Sequence, residues 1–429
     1  MVRRPVFFYG WVIVGISIAI MTLVYGIRHS FSVFFPPILA EFGWSRGNTA
    51  IMLSLSLLVY GFVAPIAGGL GDRWKPRRVM PIGIIILCLA TAACAFASEL
   101  WHFYLLFGIL VPMGMAFCGW PLIAPALTNW FVKRRGLVLG LGQIGGGISF
   151  TYGLFAAFAI SIVGWRSAYF VIAGVMAAIL LPLILLFFHY RPESKNLKAY
   201  GTAELSAVTD LPVEATAVRS PTTRNWTLKQ IMRTYQLWLL VLTQFFFWGI
   251  GCYLVLAHQV KFAEDMGYSS TFAASIFALF GIFMAVGQLS GVISDWVGRE
   301  ITVTLAAILS IVALVALISV NDTSQSWLLY VYAVCFGCGS GLCMPPLFAG
   351  AADMFHGKHF GVVVGLLLTG MGVGGAIGPW LGGYIYDISG SYISSFVLCM
   401  ACIGLACIAF WIAAPRKAAR LKSEAQSLL

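Results

Sequence analysis

Long apolar runs recur along the whole sequence, and they constrain the fold more than any other feature. Each reaches about 20 residues, the length that crosses a ~30 Å hydrocarbon core as an α-helix. Backbone groups in lipid must find their hydrogen bonds within the segment, so these runs predict transmembrane helices. Twelve runs can be marked, at 9–35, 49–70, 79–97, 103–131, 136–163, 168–189, 237–262, 273–293, 302–320, 327–354, 360–386 and 392–413. The sequence therefore predicts an all-α membrane protein with twelve transmembrane helices.

The distribution of charge agrees with this prediction. Hydrophobic residues make up 60% of the chain and charged residues 10%, against roughly 45–50% and about 25% in soluble domains. The net charge is +11, and all but four of the 26 Lys and Arg residues lie in segments on one side of the predicted bilayer or at the termini. This positive-inside pattern predicts cytoplasmic N- and C-termini in the plasma (cell inner) membrane. The basic net charge therefore follows from the topology in the lipid bilayer and does not indicate nucleic-acid binding.

A polar segment divides the chain into two similar parts. The predicted organisation is an N-terminal six-helix half at 1–190, a cytoplasmic linker at 191–235, a C-terminal six-helix half at 236–414 and a cytoplasmic tail at 415–429. The pattern Gly68-x-x-x-Asp72 recurs as Gly291-x-x-x-Asp295, a shift of 223, and several glycines recur at a shift of 225. Two parallel repeats predict a rocking transporter with its site between the halves, near the middle of the membrane.

The first apolar run carries an unusual cation. Thr22, Tyr25, Arg28, His29 and Ser32 recur at three- and four-residue steps, which places them on one face of a helix. A guanidinium in hydrocarbon costs roughly 2.5–3.5 kcal/mol on insertion scales, so an intramembrane arginine normally faces a watery cavity or a counter-charge. The alternative is that Arg28 extends along the lipid to the interface. These polar side chains on one helix face predict a pathway for a substrate that they line.

Several other side chains complete the predicted substrate site. None of the fifteen carboxylates lies deep in a predicted span, so an anionic substrate would supply the counter-charge of Arg28 and use its planar fork. The ten cysteines lie almost wholly in spans and are interpreted as packing residues, so neither a metal nor a cofactor is expected. The residues expected to bind substrate are Arg28, His29, Tyr25, Tyr60, Trp120, Tyr152, Trp248, Tyr253 and Gln288.

Short motifs add a resemblance to known transporters. Gly-x-x-x-Asp-x-x-Gly-Arg is the signature loop of the major facilitator superfamily, and the sequence from Gly291 to Arg299 matches it, whereas the copy at Asp72 lacks the second glycine. The chain also resembles the monocarboxylate transporter family and the bacterial oxalate/formate antiporter group. This likeness is carried by Tyr25-Gly-x-x-x-x-x-Ser-Val-Phe-Phe35, Trp130-Phe-x-Lys133-Arg134-Arg135 and Gly164-Trp-Arg166.

The resemblance implies roles for particular residues. That family binds its carboxylate with a cation in span one and an Asp/Arg pair in span eight. The span-one cation falls on His29, beside Arg28, and the span-eight pair falls on Met284 and Gln288. Since both charges of the pair are absent, coupling to protons would depend on His29, whose unperturbed pKa of about 6.5 lies in the working range.

The resemblance also implies a conformational switch. Asp72 and Asp295 would each sit near the inner start of a helix in the opposite half, where the helix dipole favours negative charge. With Arg73, Arg77 and Arg299 they would bias the rocking equilibrium and would not touch the substrate. The alternative is that each is an ordinary capping Asp in a basic loop.

Taken together, the sequence predicts a secondary transporter of a small organic anion, a mono- or dicarboxylate, that works by alternating access with a proton or counter-anion as the coupled partner. An enzyme is not expected, because facing spans carry no His/Glu or Ser/His cluster at catalytic spacing. Two alternatives remain: an exporter of drugs or other metabolites in which Arg28 is structural, and a membrane sensor that transports nothing.

Overall fold

The computed structural model describes residues 8–44, 46–74, 76–201, 227–289 and 291–415. In these ranges the secondary structure is helical, apart from one isolated β-bridge between Phe131 and Tyr200. Most of the predicted linker and almost all of the predicted C-terminal tail lie outside the described residues. Of the linker, the structure describes 191–201 and 227–235.

Among the described residues, the first part of the chain forms nine α-helices with short π and 3-10 segments between them. These are α1 Gly10–His29, α2 Phe31–Phe42, α3 Arg46–Trp74, α4 Pro76–Ala93, a 3-10 turn Cys94–Phe96, α5 Leu100–Phe103, a π segment Tyr104–Leu110, α6 Val111–Cys118, α7 Trp120–Trp130, α8 Arg135–Ile148, a 3-10 turn Ser149–Thr151, α9 Tyr152–Pro182, a π segment Leu183–Phe187 and a 3-10 turn Pro192–Lys195.

The second part is helical as well. Its elements are α10 Leu228–Met232, α11 Tyr235–Gln244, a π segment Phe245–Cys252, α12 Tyr253–Asp265, α13 Ser270–Leu289, α14 Gly291–Trp296, α15 Arg299–Ile318, a 3-10 turn Thr323–Gln325, α16 Ser326–Phe355, α17 Phe360–Ser389 and α18 Ile393–Ala413. The short α10 begins at a capping box, in which Thr227 and Gln230 bond each other's backbone N–H.

Within the described ranges, eleven helical stretches are long and apolar enough to cross a membrane. One of them, residues 135–187, is 53 residues long, far more than the roughly 20 that a span needs. Gly164 lies inside it with φ 76° and ψ 162°, so the backbone leaves the helical path there. This left-handed φ favours glycine, because a Cβ would clash with the backbone.

The first span is longer than the sequence predicts. The apolar run suggested an end at residue 35, before Pro36 and Pro37, but α2 continues through both prolines to Phe42. Proline removes one backbone donor each time, yet helices in membranes tolerate it because neighbouring groups satisfy the freed carbonyls. The helix ends where Gly43 adopts φ 65°, a left-handed C-terminal position.

Glycines bring the two halves into close contact along two pairs of helices, α3 with α17 and α8 with α13. A Cβ built on Gly61 would lie 3.0 Å from the Cα of Gly372, and Gly140 packs directly against the carbonyl of Gln288. Small residues allow this approach of backbones, which drives helix association where lipid removes the hydrophobic effect. Large apolar side chains such as Phe96, Leu154 and Ile388 remain exposed on the outside of the bundle, as expected of a surface that faces lipid.

Candidate functional site

A cavity of about 50 Å³ lies between the two halves of the bundle. The first half contributes Tyr25, His29, Trp120 and Gln143 among its lining residues, and the second half contributes Trp248, Tyr253 and Gln288. Four methionines also line it: Met21, Met284, Met344 and Met371. Methionine side chains are flexible and polarizable, so they adapt to ligands of irregular shape. The cavity therefore combines an adaptable apolar wall with a small set of polar groups.

Arg28 is buried beside this cavity and does not line it. The residue is 2% exposed, so its side chain does not extend along the lipid to the interface. Its guanidinium carbon lies 4.7 Å from the ring centroid of Tyr60, a cation–π distance. Nε, Nη1 and Nη2 have no hydrogen-bond partner among the described residues. The Tyr253 hydroxyl, from the second half, lies close to the guanidinium, but the two do not meet the geometry of a hydrogen bond.

Two phenols of the cavity wall lie close to Arg28. Tyr25 and Tyr253 line the cavity and both interact with Arg28. The Tyr25 hydroxyl forms a 2.5 Å hydrogen bond with the hydroxyl of Tyr60. Because Tyr25 and Arg28 are three residues apart on α1, their side chains lie on neighbouring parts of one helix face.

His29 points into the cavity from the same helix. Its Nδ1 lies 2.8 Å from Oγ of Ser149, and its ring stacks on Phe150 with centroids 3.9 Å apart. The single hydroxyl hydrogen of Ser149 is donated to the carbonyl of Gly146 at 2.5 Å. The hydroxyl oxygen therefore accepts from His29, and Nδ1 carries the proton. Both contacts come from residues that follow the glycine-rich α8.

Irregular backbone places the two cavity tryptophans. Gly119, with φ −96° and ψ −149°, separates α6 from α7, and Trp120 is the first residue of α7. Trp248 lies within the π segment Phe245–Cys252, a geometry that is frequent at functional sites. The indole Nε1 atoms of Trp120 and Trp248 are buried and have no partner among the described residues.

Of the remaining predicted residues, one lines the cavity and two do not. Gln288 lines the cavity with an unpartnered Oε1. Tyr60 and Tyr152 are buried but do not line it; the Tyr152 ring packs on Gly26. Gln143 lines the cavity and was missed by sequence reasoning. The available signal was that it is the one strongly polar side chain between Arg135 and Ser149, inside a glycine-rich span.

At one end of the bundle, two aspartates bond helix N-termini across the interface. Asp72 accepts from the backbone N–H groups of Gly361 and Val362, both at 3.2 Å. Asp295 accepts from those of Gly136 at 3.1 Å and Leu137 at 3.0 Å. Each aspartate thus bonds the first turn of a helix in the other half, where the helix dipole favours a negative charge.

The arginines near Asp295 and those near Asp72 make different contacts. Arg299 donates to Asp295 at 2.7 Å and to Asp353 at 3.3 Å, and Asp353 also pairs with Arg135 of the first half at 3.5 Å. Arg77 instead donates to the carbonyl of Leu185 at 2.7 Å. The side chain of Arg73 is exposed. In the described part of the chain, neither arginine forms an ion pair with Asp72.

Within the described residues, no group of three or more His, Cys, Asp or Glu side chains could hold a metal ion. A cavity with a few polar groups, lined by residues from both the N-terminal and the C-terminal part of a helical membrane bundle, is the arrangement of a membrane transport protein. The chain matches the Major Facilitator Superfamily over residues 14–353 and 323–428, and it belongs to that family. It is accordingly a multi-pass membrane transporter and not an enzyme, in agreement with the predicted plasma-membrane location.

Two named relatives and one solved structure extend the comparison. The chain is 28% identical to monocarboxylate transporter 13 of Rattus norvegicus, covering 91% of this chain and 85% of the relative. It is 27% identical to monocarboxylate transporter 11 of Homo sapiens, covering 91% and 80%. The crystal structure of the human organic anion transporter MFSD10 (TETRAN) has a TM-score of 0.68 at 17% identity, covering 96% of this chain and 100% of the other. The resemblance to monocarboxylate transporters is confirmed, and the structural likeness shows the fold.

Proposed function

We propose that the chain is a secondary transporter that moves a small organic anion, a mono- or dicarboxylate, by alternating access. The relatives named as monocarboxylate transporters support the carboxylate. We further propose twelve spans with cytoplasmic termini. The stretch 135–187 supports this count, because the turn at Gly164 would divide it into two pieces that each exceed the roughly 20 residues of a span.

The observation that carries the proposal is the unpaired charge of Arg28. A buried cation without an anionic partner is costly, and an anionic ligand would supply the missing charge and hydrogen bonds together. Tyr25 and Tyr253 line the cavity and Arg28 does not, so a carboxylate in the cavity would reach Arg28 when one of these phenols turns aside. Before that, the phenol hydroxyls can donate to the carboxylate oxygens.

The aspartate contacts support a rocking mechanism. Asp72, Asp295 and the Arg135–Asp353 pair all join the two halves at the same end of the bundle. We assign that end to the cytoplasm and the observed arrangement to the state closed on that side. Opening would break these contacts and expose the cavity to the cell interior. The coupled partner is a proton, carried by His29, or a counter-anion.

Binding to purified Arg28 variants tests the proposal. Arg28→Gln removes both the charge and the planar fork, and losing one member of a buried ion pair costs about 3–5 kcal/mol. At roughly 1.4 kcal/mol per decade, the affinity for the best carboxylate of a thermal-shift screen should fall at least about a hundredfold. Arg28→Lys keeps the charge without the bidentate geometry and should recover part of the loss.

Arg233→Gln is the matched control, because Arg233 is an exposed arginine outside the site and its loss should leave the affinity unchanged. Equal affinity in the parent and in Arg28→Gln would end the anion proposal and favour the exporter. Absence of counterflow of any labelled carboxylate in proteoliposomes, with binding retained, would favour the sensor.

A further inference from the structure

The start of the linker is bonded through its backbone to the loop that precedes α8. The N–H of Tyr200 donates to the carbonyl of Trp130 at 2.9 Å, and the N–H of Val132 donates to the carbonyl of Tyr200 at 3.1 Å. These bonds form the isolated parallel bridge between Phe131 and Tyr200. We call residues 191–201, which end at this bridge, the linker strap. The strap is held to the first half in the way that an added strand is held to the edge of a sheet.

Aromatic rings hold the same end of the linker strap. The ring centroid of Tyr200 lies 5.8 Å from that of Phe8 and 5.8 Å from that of Phe131, and the rings of Phe8 and Phe131 meet edge to face at 5.5 Å. Ring pairs at such distances attract each other. Gly201 follows with φ 95°, and a Cβ there would lie 2.7 Å from the Cβ of Lys133. The strap therefore ends in a close contact that glycine allows.

The loop that the linker strap holds determines where α8 begins. Arg134, the last residue of this loop, has φ 62° and ψ 38°, in the left-handed region that residues other than glycine rarely adopt. Such a conformation persists where the surrounding structure holds it. Immediately after Arg134, the backbone N–H groups of Gly136 and Leu137 donate to Asp295 of the second half. The strap bonds the residues directly before Arg134 and thus helps to fix the start of α8 that Asp295 binds.

We propose that the linker strap stabilises the state that is closed at the cytoplasmic end, and that Tyr200 is the positioning residue through which it acts on the contact between α8 and Asp295. The strap and Asp295 bind the same conformation of the loop before α8, so each strengthens the other. Whatever binds one of two states better shifts the equilibrium towards that state. When the strap leaves, Arg134 can relax and the contact with Asp295 weakens. This inference goes beyond the proposed function and takes from it the rocking of the two halves.

The distance between two spin labels at the cytoplasmic end tests the inference in the full-length purified protein. The labels are attached through Arg78→Cys in the first half and Lys358→Cys in the second, because both residues are exposed, whereas the native cysteines are buried or partly buried. The distance distribution gives the ratio of the open to the closed population. We expect Tyr200→Ala, which loses two ring contacts, to raise this ratio about three- to tenfold. Tyr200→Phe keeps the ring and should give the parental ratio.

Gly201→Val releases the linker strap by a different route, so the test does not depend on whether Tyr200→Ala folds. The new side chain would collide with Lys133 and would require a backbone conformation that valine rarely adopts, and the open-to-closed ratio should rise as in Tyr200→Ala. Gly390→Val is the matched control, because Gly390 also has a positive φ, of 69°, but nothing lies within 4 Å of its Cβ position. Its ratio should be parental. Parental ratios in both Tyr200→Ala and Gly201→Val would overturn the inference.

A double-mutant cycle separates positioning from a general loss of stability. If Tyr200 acts through the start of α8, adding Tyr200→Ala to Asp295→Asn should change the ratio by less than about twofold, because the contact is already weakened. Asp72 bonds the start of α17 instead, so Tyr200→Ala and Asp72→Asn should multiply their effects on the ratio. Multiplied effects in both combinations would refute the assignment of Tyr200 to the contact of Asp295.

The same labels separate this inference from the rocking mechanism on which it rests. If Asp295→Asn raises the open-to-closed ratio while both strap variants leave it unchanged, the rocking mechanism stands and the role of the strap fails. If Asp295→Asn also leaves the ratio unchanged, the contact does not control opening and both proposals are overturned.

Discussion

The carboxylate of Asp295, in the second half of the chain, accepts a hydrogen bond from the backbone N–H of Gly136, in the first half, at 3.1 Å. Its other oxygen accepts from Leu137 at 3.0 Å, so the whole carboxylate caps the start of α8. Asp72 makes the mirror contact with the start of α17. Asp72 and Asp295, which occupy equivalent positions in the repeated sequence pattern, thus make equivalent contacts between the two halves.

Asp295→Asn should weaken this closure without unfolding the protein. One acceptor oxygen becomes an NH₂ group that faces a backbone N–H, and the charge that pairs with Arg299 is lost. We expect a shift of about 1–2 kcal/mol, which is roughly 5- to 30-fold in the equilibrium between the two states. The counterflow rate should fall while ligand-induced thermal stabilisation persists. Asp322→Asn, a change in an exposed loop, is the control. Loss of saturable binding in Asp295→Asn would contradict the assignment.

Gly68→Val should prevent the halves from closing. A Cβ on Gly68 would collide with the carbonyl group of Gly361 and lie 2.9 Å from the backbone nitrogen of Val362. Because this clash is between halves, each half can still fold, and the loss should be of transport rather than of yield. Gly174→Val is the matched control, since nothing lies within 4 Å of its Cβ position. The counterflow rate measures the effect. If Gly68→Val transports as fast as the parent protein, close contact between Gly68 and Gly361 is not needed for transport.

His29→Gln tests coupling to protons. Its ring lines the cavity and Nδ1 bonds Ser149, so a proton taken up there would be felt by the substrate. If His29 carries the coupled proton, the variant should lose the dependence of uptake on an imposed pH gradient. His258→Gln is the comparison, because His258 bonds the carbonyl of Pro379 and does not line the cavity. Retention of the gradient response by His29→Gln, with loss in His258→Gln, would transfer the role to His258.

Cysteine labelling tests the twelve-span topology. Ser194 and Ser324 are both exposed, and with twelve spans they lie on opposite sides of the membrane. Ser194→Cys should react with an impermeant maleimide only from the cytoplasm, and Ser324→Cys only from outside, with the parent's own cysteines as background. Labelling of both positions from one side would show that the number of spans between them is even.

Much of this protein could be read from sequence because the membrane simplifies the problem. A backbone that spans lipid forms either a helix or a strand of a closed barrel, and apolar runs of about 20 residues have the length of a helix. The prediction of a helical transporter of this superfamily is confirmed. Helical periodicity also places Tyr25 and His29 on one face, and both line the cavity. The repeat of Asp72 as Asp295 indicated related contacts before either partner was known.

Tertiary structure decided the rest, for reasons that local sequence does not contain. Gln143 lines the cavity, while Tyr60 and Tyr152 lie behind it, because the rotation of a helix about its axis is set by packing against neighbours. Arg28 stacks on Tyr60 and does not line the cavity for the same reason. Periodicity determines which residues share a helix face, and lipid determines that the helix forms. Only the contacts between helices, here set by glycines that let backbones touch, determine which face meets the cavity.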